Sequence, residues 1–147
     1  MVGRGLVLAL APLAFAGGLA FHPMHTSSAE LVLDRQLAVI TVRIFADDFK
    51  TLGGADAERA AHACAGISIR SRESGTVPLR VSAIRRVADV VELTLTGPLP
   101  AGLTGAELRN EILFDRYHDE VNIVRIHDGQ HTSMLLFTPG SGARRIR

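Results

Sequence analysis

The sequence predicts a mainly β protein: an antiparallel, immunoglobulin-like β-sandwich of about eight strands, with one helical insertion after the second strand. Short apolar segments recur at roughly 8–12-residue spacing between turn-forming residues, as is typical of sandwiches. Only one stretch changes from the two-residue period of a strand to helical spacing. The 147 residues are 47% hydrophobic and include no Trp. Such a chain can bury one core, built from aliphatic side chains.

The first twenty residues are predicted to be an export signal and not part of that core. Arg4 supplies the positive start, and Leu6–Ala16 is an apolar run of signal length. The run is shorter than the roughly 20 residues of a membrane span. Small residues allow cleavage after Ala16 or after Ala20. We favour Ala20 because the polar sequence starts there, and retention as an uncleaved anchor is the alternative.

Cleavage would leave a single sandwich domain over residues 21–138, followed by a flexible basic tail over 139–147. This organisation predicts a periplasmic or secreted protein with no stable membrane span. Arg4 is the only charged residue of the signal, so the mature chain has fifteen basic and fifteen acidic residues. A neutral chain has no long-range field that attracts nucleic acid or an anionic membrane. A solvated chain end is the simplest interpretation of the basic run Arg144–Arg147.

The predicted strands begin with a hairpin. Ser27–Leu33 and Gln36–Phe45 flank the turn-like pair Asp34-Arg35. In the second strand, Ala38, Ile40, Val42 and Ile44 share one apolar face, whereas the opposite face is mixed. A strand with one apolar face packs that face on a core, so we expect this strand at the centre of the sandwich.

The helical insertion follows that strand directly. Asp47 or Asp48 is predicted to be an N-cap, a position that Asp favours and where its charge suits the helix dipole. A glycine pair then interrupts the pattern, and Asp56 is the second predicted N-cap. It precedes Ala57–Ala65, which is rich in the strong helix former Ala, and Gly66 is a natural helix end.

From residue 67 onward the pattern is that of strands alone. The predicted strands are Ile67–Arg72, Val77–Arg85, Val87–Thr96, Ala106–Phe114, Val121–Ile126 and His131–Thr138. A loop rich in Gly and Pro, Gly97–Gly102, and the tight-turn pair Asp128-Gly129 fall between them.

His22 and His25 form the first candidate site. After cleavage before Phe21, the free amine, the His22 amide and the His22 imidazole could chelate a copper ion. His25, or the Met24 thioether for the reduced ion, could add a ligand. The simpler interpretation is a polar segment that leads into the first strand.

Asp47 and Asp48, together with His118, Asp119 and Asn122, form the second candidate site. Paired acids with a His can bind a divalent ion or carry out acid–base chemistry. The simpler interpretation is a helix cap and a solvated turn, because capping alone explains an Asp before a helix.

Two further groups carry weaker signals. His127 and His131 flank a predicted hairpin turn and could share a metal, although two ligands alone make a weak site. The single Cys64 cannot form an intramolecular disulfide, and we interpret it as a small core residue. His62 does not activate it, because residues two apart on a helix do not face each other.

Segments spread over the mature chain carry a family resemblance. They are His22-Pro23 with His25, Ser28–Glu30, Val42–Phe49, Asn110 with Leu113-Phe114, and Asp119–Val124. In this order they resemble an uncharacterised domain-of-unknown-function family of short exported bacterial proteins. Its members typically show Arg-Ile-Phe-x-Asp-Asp-Leu and a late Asp-Gln-x-Asn-Ile-Val. This chain differs by Phe49 for Leu, by Glu120 for Gln and by Gly53-Gly54 inside the helix. The resemblance implies an exported β-rich sandwich with one helical insertion, and no established activity.

Motifs for nucleophilic, zinc-protease, phosphate-loop or dithiol chemistry are absent from the sequence. The sequence therefore predicts a non-enzymatic accessory or binding module with a protein partner in the cell envelope. The alternative is a periplasmic metal-binding protein that handles copper or another divalent ion, and a metal-dependent hydrolase ranks third. The functional end is expected to gather the mature N-terminus, the Asp47-Asp48 helix start and the loop His118–Asn122.

Overall fold

The computed structural model describes residues 24–147, a range that contains ten strands and two helices. The strands are β1 Thr26–Asp34, β2 Leu37–Phe45, β3 Ile67–Ser71, β4 Gly75–Thr76, β5 Arg80–Val87, β6 Val90–Pro98, β7 Glu107–Asn110, β8 Val121–Asp128, β9 His131–Phe137 and β10 Arg144–Arg145. The helices are α1 Ala46–Lys50 and α2 Asp56–Ala65. The predicted signal, its cleavage sites and His22 lie outside these residues. Neither helix is long and apolar enough to span a membrane.

The strands form two sheets. The larger sheet has the order β5-β6-β2-β1-β8-β9, and the smaller sheet has the order β10-β7-β3-β4. Both sheets contribute to one buried cluster, with Ile40 and Leu93 from the larger sheet and Ile69 and Leu108 from the smaller. This mainly β architecture is consistent with the predicted β-sandwich. The strand number is ten instead of about eight, because β4 and β10 have two residues each and are too short to show a period.

One strand pair departs from the predicted antiparallel arrangement. β1 and β8 are parallel neighbours, with Thr26 opposite Val121 and Val32 opposite His127. All other pairs in this part of the chain are antiparallel. Strand periodicity carries no information about the direction of a distant neighbour, so the sequence pattern could not distinguish these arrangements.

The β1–β2 hairpin is confirmed, and β2 lies inside the larger sheet between β1 and β6. The four residues predicted to share its apolar face, Ala38, Ile40, Val42 and Ile44, are all 0% exposed. The opposite face carries a row of ion pairs that crosses five strands. The row consists of Arg85 on β5, Glu92 on β6, Arg43 on β2, Glu30 on β1 and Arg125 on β8. The mixed face of β2 is therefore the outer face of the sheet.

The helices begin without the predicted Asp caps. Phe45 occupies the N-cap position of α1, and no side chain caps the helix. Asp47 lies in the first turn with its carboxylate 2.9 Å from the Lys50 Nζ, and Asp48 follows it in the same turn. Because both residues are already inside the helix, the capping prediction for them was wrong. Their charge still suits the positive end of the helix dipole.

The same correction applies to Asp56, which is the first residue of α2 and not its cap. Its carboxylate accepts hydrogen bonds from Arg59 at 3.0 Å and from Arg86 at 2.9 Å. Because the Asp56 carboxylate is bonded to two guanidinium groups, it does not cap the backbone N–H groups of the helix. The Glu58 carboxylate accepts instead from the Ala55 backbone N–H at 2.8 Å.

Gly66 ends α2 as predicted, but its backbone is not left-handed, with φ at −79°. A Cβ at this position would lie 3.1 Å from the backbone of Ile112. The lack of a side chain at Gly66 therefore favours the close approach of another segment, which also donates the Glu111 N–H to the Gly66 carbonyl at 2.7 Å.

Residues 139–147 were expected to form a flexible tail, and the structure corrects this. Arg144 and Arg145 pair with β7 as strand β10, and Ile146 is 1% exposed. The Ile146 N–H donates to the Ala106 carbonyl, and the Ile146 carbonyl accepts from the Gly105 N–H, both at 2.8 Å. One buried aliphatic side chain and backbone pairing are enough to hold this chain end on the smaller sheet.

Candidate functional site

Three chain segments meet at one end of the larger sheet because of its topology. β1 and β8 are parallel, so the residues just before them, His25 and Glu120, lie at the same end. The Val121 N–H donates to the His25 carbonyl at 3.0 Å. β2 runs antiparallel to β1, so its last residue and the start of α1 come to this end too. We call His25, Asp48, Tyr117, Asp119 and Glu120 the working end.

His25 is held on two sides. Its Nδ1 lies 3.0 Å from the Asp119 Oδ1, and its ring stacks on Tyr117 with centroids 3.5 Å apart and an angle of 6° between the planes. The His25 imidazole holds the pKa of Asp119 below its usual range, mainly through this hydrogen bond. Both partners are half-buried, so the imidazole has a fixed orientation.

Glu120 is the most unusual residue of the working end. Its side chain is 0% exposed, and neither carboxylate oxygen accepts a hydrogen bond of normal geometry among residues 24–147. Burial raises its pKa to about 7, and the nearby Asp48 charge adds to the shift, whereas His25 and the backbone N–H of Ser27 oppose it. A buried carboxylate without a partner is costly in its charged form. Glu120 therefore exchanges a proton close to neutral pH.

Asp48 and Tyr117 are coupled to this carboxylate. Burial raises the pKa of Tyr117, and the nearby Thr51 hydroxyl opposes this shift. The Asp48 and Glu120 charges raise the pKa further. The Tyr117 phenol and the carboxyl groups of Asp48 and Glu120 are thus close enough to shift one another's pKa, at the end where α1 begins. Of the predicted second site, Asp48 and Asp119 belong to this group, and His25 joins them from the first.

Asn122 is part of the framework and not of the working end. Its Nδ2 donates to the Ile112 carbonyl at 2.9 Å and to the Asn110 Oδ1 at 3.1 Å, and its Oδ1 accepts from the Ser27 hydroxyl. The side chain is completely buried. These bonds tie β1 and β8 of the larger sheet to the end of β7 in the smaller sheet.

The remaining predicted ligands do not assemble. His118 is exposed, although its charge also lowers the pKa of Asp119, and Asp47 is an exposed partner of Lys50. His127 lies opposite Thr132, and His131 lies opposite Asp128, so the two imidazoles occupy different cross-strand positions. Within residues 24–147, no three His, Cys, Asp or Glu side chains lie close enough to hold one metal ion.

Cys64 and His62 are engaged separately. The Cys64 thiol is half-buried against the core and lies 3.7 Å from the Leu79 carbonyl, and burial raises the pKa of this thiol. The His62 Nε2 lies 3.2 Å from the Asp115 Oδ2, beside an open cleft of about 560 Å³. The thiol and the imidazole therefore do not form a nucleophile pair.

Sequence reasoning missed Glu120 and Tyr117 as members of the site. Both stand in a polar stretch before β8 that is typical of a solvated loop. Glu120 lies near Ser27 of β1 and Asp48 of α1, which are both distant from it in sequence. No local pattern signals its burial.

No protein-family model matches the chain, and no similar curated protein was found.

Proposed function

We propose that this protein is an exported, non-enzymatic binding module with an immunoglobulin-like sandwich. Its working end would bind a positively charged group of a protein partner in the cell envelope. The observation that carries the proposal is Glu120, a fully buried carboxylate that accepts no hydrogen bond of normal geometry among the described residues. Groups with strongly shifted pKa values concentrate at functional sites.

The chemistry of the working end favours a cation. Asp48, Asp119 and Glu120 supply three acidic groups, against the imidazoles of His25 and of the neighbouring exposed His118. An ammonium or guanidinium group that donates to Glu120 would stabilise its charged form and satisfy its oxygens. Because Glu120 is fully buried, a ligand reaches it only when the side chains that cover it move.

A titration with agmatine, a small molecule that carries a guanidinium and an ammonium group, tests this proposal. We expect saturable changes in the amide NMR shifts of residues 117–121 above neutral pH, where Glu120 is charged. Glu120→Gln and Asp48→Asn should abolish the response. Glu111→Gln, which changes an exposed acid on another segment, should retain it. An absent response, or an equal response in the Glu120→Gln variant, contradicts the proposal.

A copper-handling role is the second candidate, and the orientation of His25 favours it. In metal-binding imidazoles, the ring nitrogen that does not bind the metal commonly donates to a carboxylate. Asp119 contacts the Nδ1 of His25, so the Nε2 is the nitrogen that would bind copper. Met24 beside it is 70% exposed. Further ligands would come from His22, outside the described residues. Mass spectrometry of the mature N-terminus followed by copper titration of the native protein and His25→Ala tests this role. Absence of saturable binding at micromolar copper removes it.

A further inference from the structure

Three arginines from two segments of the chain line one small cavity at the smaller sheet, away from the working end. The cavity has a volume of about 260 Å³. Arg70 is on β3, Arg72 follows that strand, and Arg145 is on β10. Ser71 and Glu107 complete the polar lining. A cavity of this size lined by three exposed arginines is suited to a small anion.

The pairing of the strands brings two of these arginines together. Glu107 on β7 lies directly opposite Arg70 on β3 and directly opposite Arg145 on β10. Side chains of directly opposed residues share one face of a sheet, so Arg70, Glu107 and Arg145 form a row across three strands. None of the three arginines forms an ion pair with an acid among residues 24–147. The lining thus has an excess of positive charge, with Glu107 as its one carboxylate.

Arg72 belongs to a turn that the neighbouring Ser71 stabilises. The buried Ser71 hydroxyl accepts from the N–H groups of Glu73 at 3.3 Å and Ser74 at 3.4 Å. The Arg72 side chain lies over Gly105, where any Cβ would be 2.9 Å from the Arg72 Cδ. Gly105 has φ at +79°, a conformation that favours glycine. The Arg72 side chain therefore occupies the space that a side chain at residue 105 would fill.

Arg145 is positioned by the docked chain end. Ile146 beside it is buried, and its backbone bonds to Gly105 and Ala106 fix the strand. Within the basic run at the end of the sequence, Arg145 therefore lines the cavity, whereas Ile146 anchors the chain end to the smaller sheet.

We propose that the cavity lined by Arg70, Arg72 and Arg145 binds a phosphate group, carried either by a small solute or by a lipid headgroup. A phosphate at neutral pH carries between one and two negative charges, which the excess of guanidinium charge balances. Each guanidinium can donate two parallel hydrogen bonds to phosphate oxygens. The site is independent of the working end and of the function proposed for it.

Titration with inorganic phosphate, followed by amide NMR, tests the solute source, with sodium chloride at equal ionic strength as the control for screening. Co-sedimentation with phosphatidylglycerol vesicles, with inorganic phosphate as competitor, tests the headgroup source. We expect saturable binding in one of the two, with amide shifts at Gly75 and Gly105 in the phosphate titration. Arg72→Gln and Arg70→Gln should each weaken binding about tenfold or more, as expected for loss of a charge-assisted hydrogen bond.

Arg80→Gln is the matched control, because Arg80 is exposed on β5 of the larger sheet; it should bind as the native protein does. Thermal unfolding of each variant checks that it is folded, and Arg145→Gln provides a third substitution on a different strand. If the protein binds neither phosphate nor the vesicles, the proposal is overturned. A response that chloride reproduces, or one that all three cavity variants retain, overturns it too.

Discussion

The His25 Nδ1 lies 3.0 Å from the Asp119 Oδ1, although 94 residues separate the two in sequence. This contact depends on the parallel pairing of β1 with β8, because His25 and Asp119 both precede these strands. If the two strands were antiparallel, the residues before them would lie at opposite ends of the sheet. The one parallel pair in this part of the chain is therefore what assembles the working end.

Replacing His25 with Ala should raise the pKa of Asp119 toward its ordinary value. The hydrogen bond from the imidazole is the main cause of the lowered pKa, whereas the smaller effects of the backbone and of His118 remain in the variant. Carbon NMR of the Asp119 carboxyl during an acid titration measures the change. His127→Ala, which alters an imidazole on the far part of β8, should leave the Asp119 titration unchanged. An unchanged titration in His25→Ala would show that the contact does not form in solution.

Replacing Glu120 with Gln should abolish a pH dependence of stability near neutral pH. The pKa of Glu120 is raised from 4.5 to about 7, so between these values the folded state binds more protons than the unfolded state. The free energy of unfolding of the native protein therefore falls as pH rises through this range, by about 3 kcal/mol in all, and is level above it. Gln stays neutral, so the variant loses this slope. Urea unfolding at about pH 5 and about pH 8 measures the difference.

Other groups with shifted pKa values titrate outside this range. The pKa values of Asp56, Glu92 and Asp119 are lowered from 3.8, 4.5 and 3.8. Those of Cys64 and Tyr117 are raised from 9.0 and 10.0. Glu111→Gln, at an exposed acid, is the control and should keep the native slope. A slope that persists in Glu120→Gln would mean that Glu120 does not take up the proton.

Local patterns predicted the centre of the fold well. The alternation in β2 identified its four buried residues, and the change of period placed the helices after this strand. The sequence could not show β4 and β10, since two residues have no period. The N-cap prediction for Asp56 was also wrong, because its carboxylate is bonded to Arg86, which is 30 residues away, and not to the helix backbone. Long-range pairing decided each of these outcomes.

The candidate site was predicted only in part, for the same reason. Asp48, His25 and Asp119 were identified as residue types that carry chemistry. Asn122 was identified too, but its amide is used to join the two sheets. Glu120 was assigned to a polar loop, because its burial depends on neighbours from β1 and α1 that no local pattern contains.

Replacing Asn122 with Ala should destabilise the protein by about 3 kcal/mol, because it leaves buried partners without hydrogen bonds. The Ile112 carbonyl, the Asn110 side chain and the Ser27 hydroxyl would each lose a partner. Urea unfolding at one fixed pH measures the loss. Thr132→Ala, which removes an exposed hydroxyl 3.2 Å from His127, should cost less than about 0.5 kcal/mol. Equal small losses in both variants would place Asn122 outside the framework.

Replacing Ile146 with Ala tests whether the chain end belongs to the folded core. Ile146 is 1% exposed, so truncating it should lower the free energy of unfolding by about 3 kcal/mol, as for a buried aliphatic side chain. Ile84→Ala is the matched control, because Ile84 is 37% exposed at the edge of the larger sheet and should cost less than about 1 kcal/mol. Amide hydrogen exchange at Gly105 and Ile146, whose N–H groups donate within this contact, should accelerate in Ile146→Ala alone. A flexible tail would instead show fast exchange at Ile146 already in the native protein, and both variants would then be equally stable.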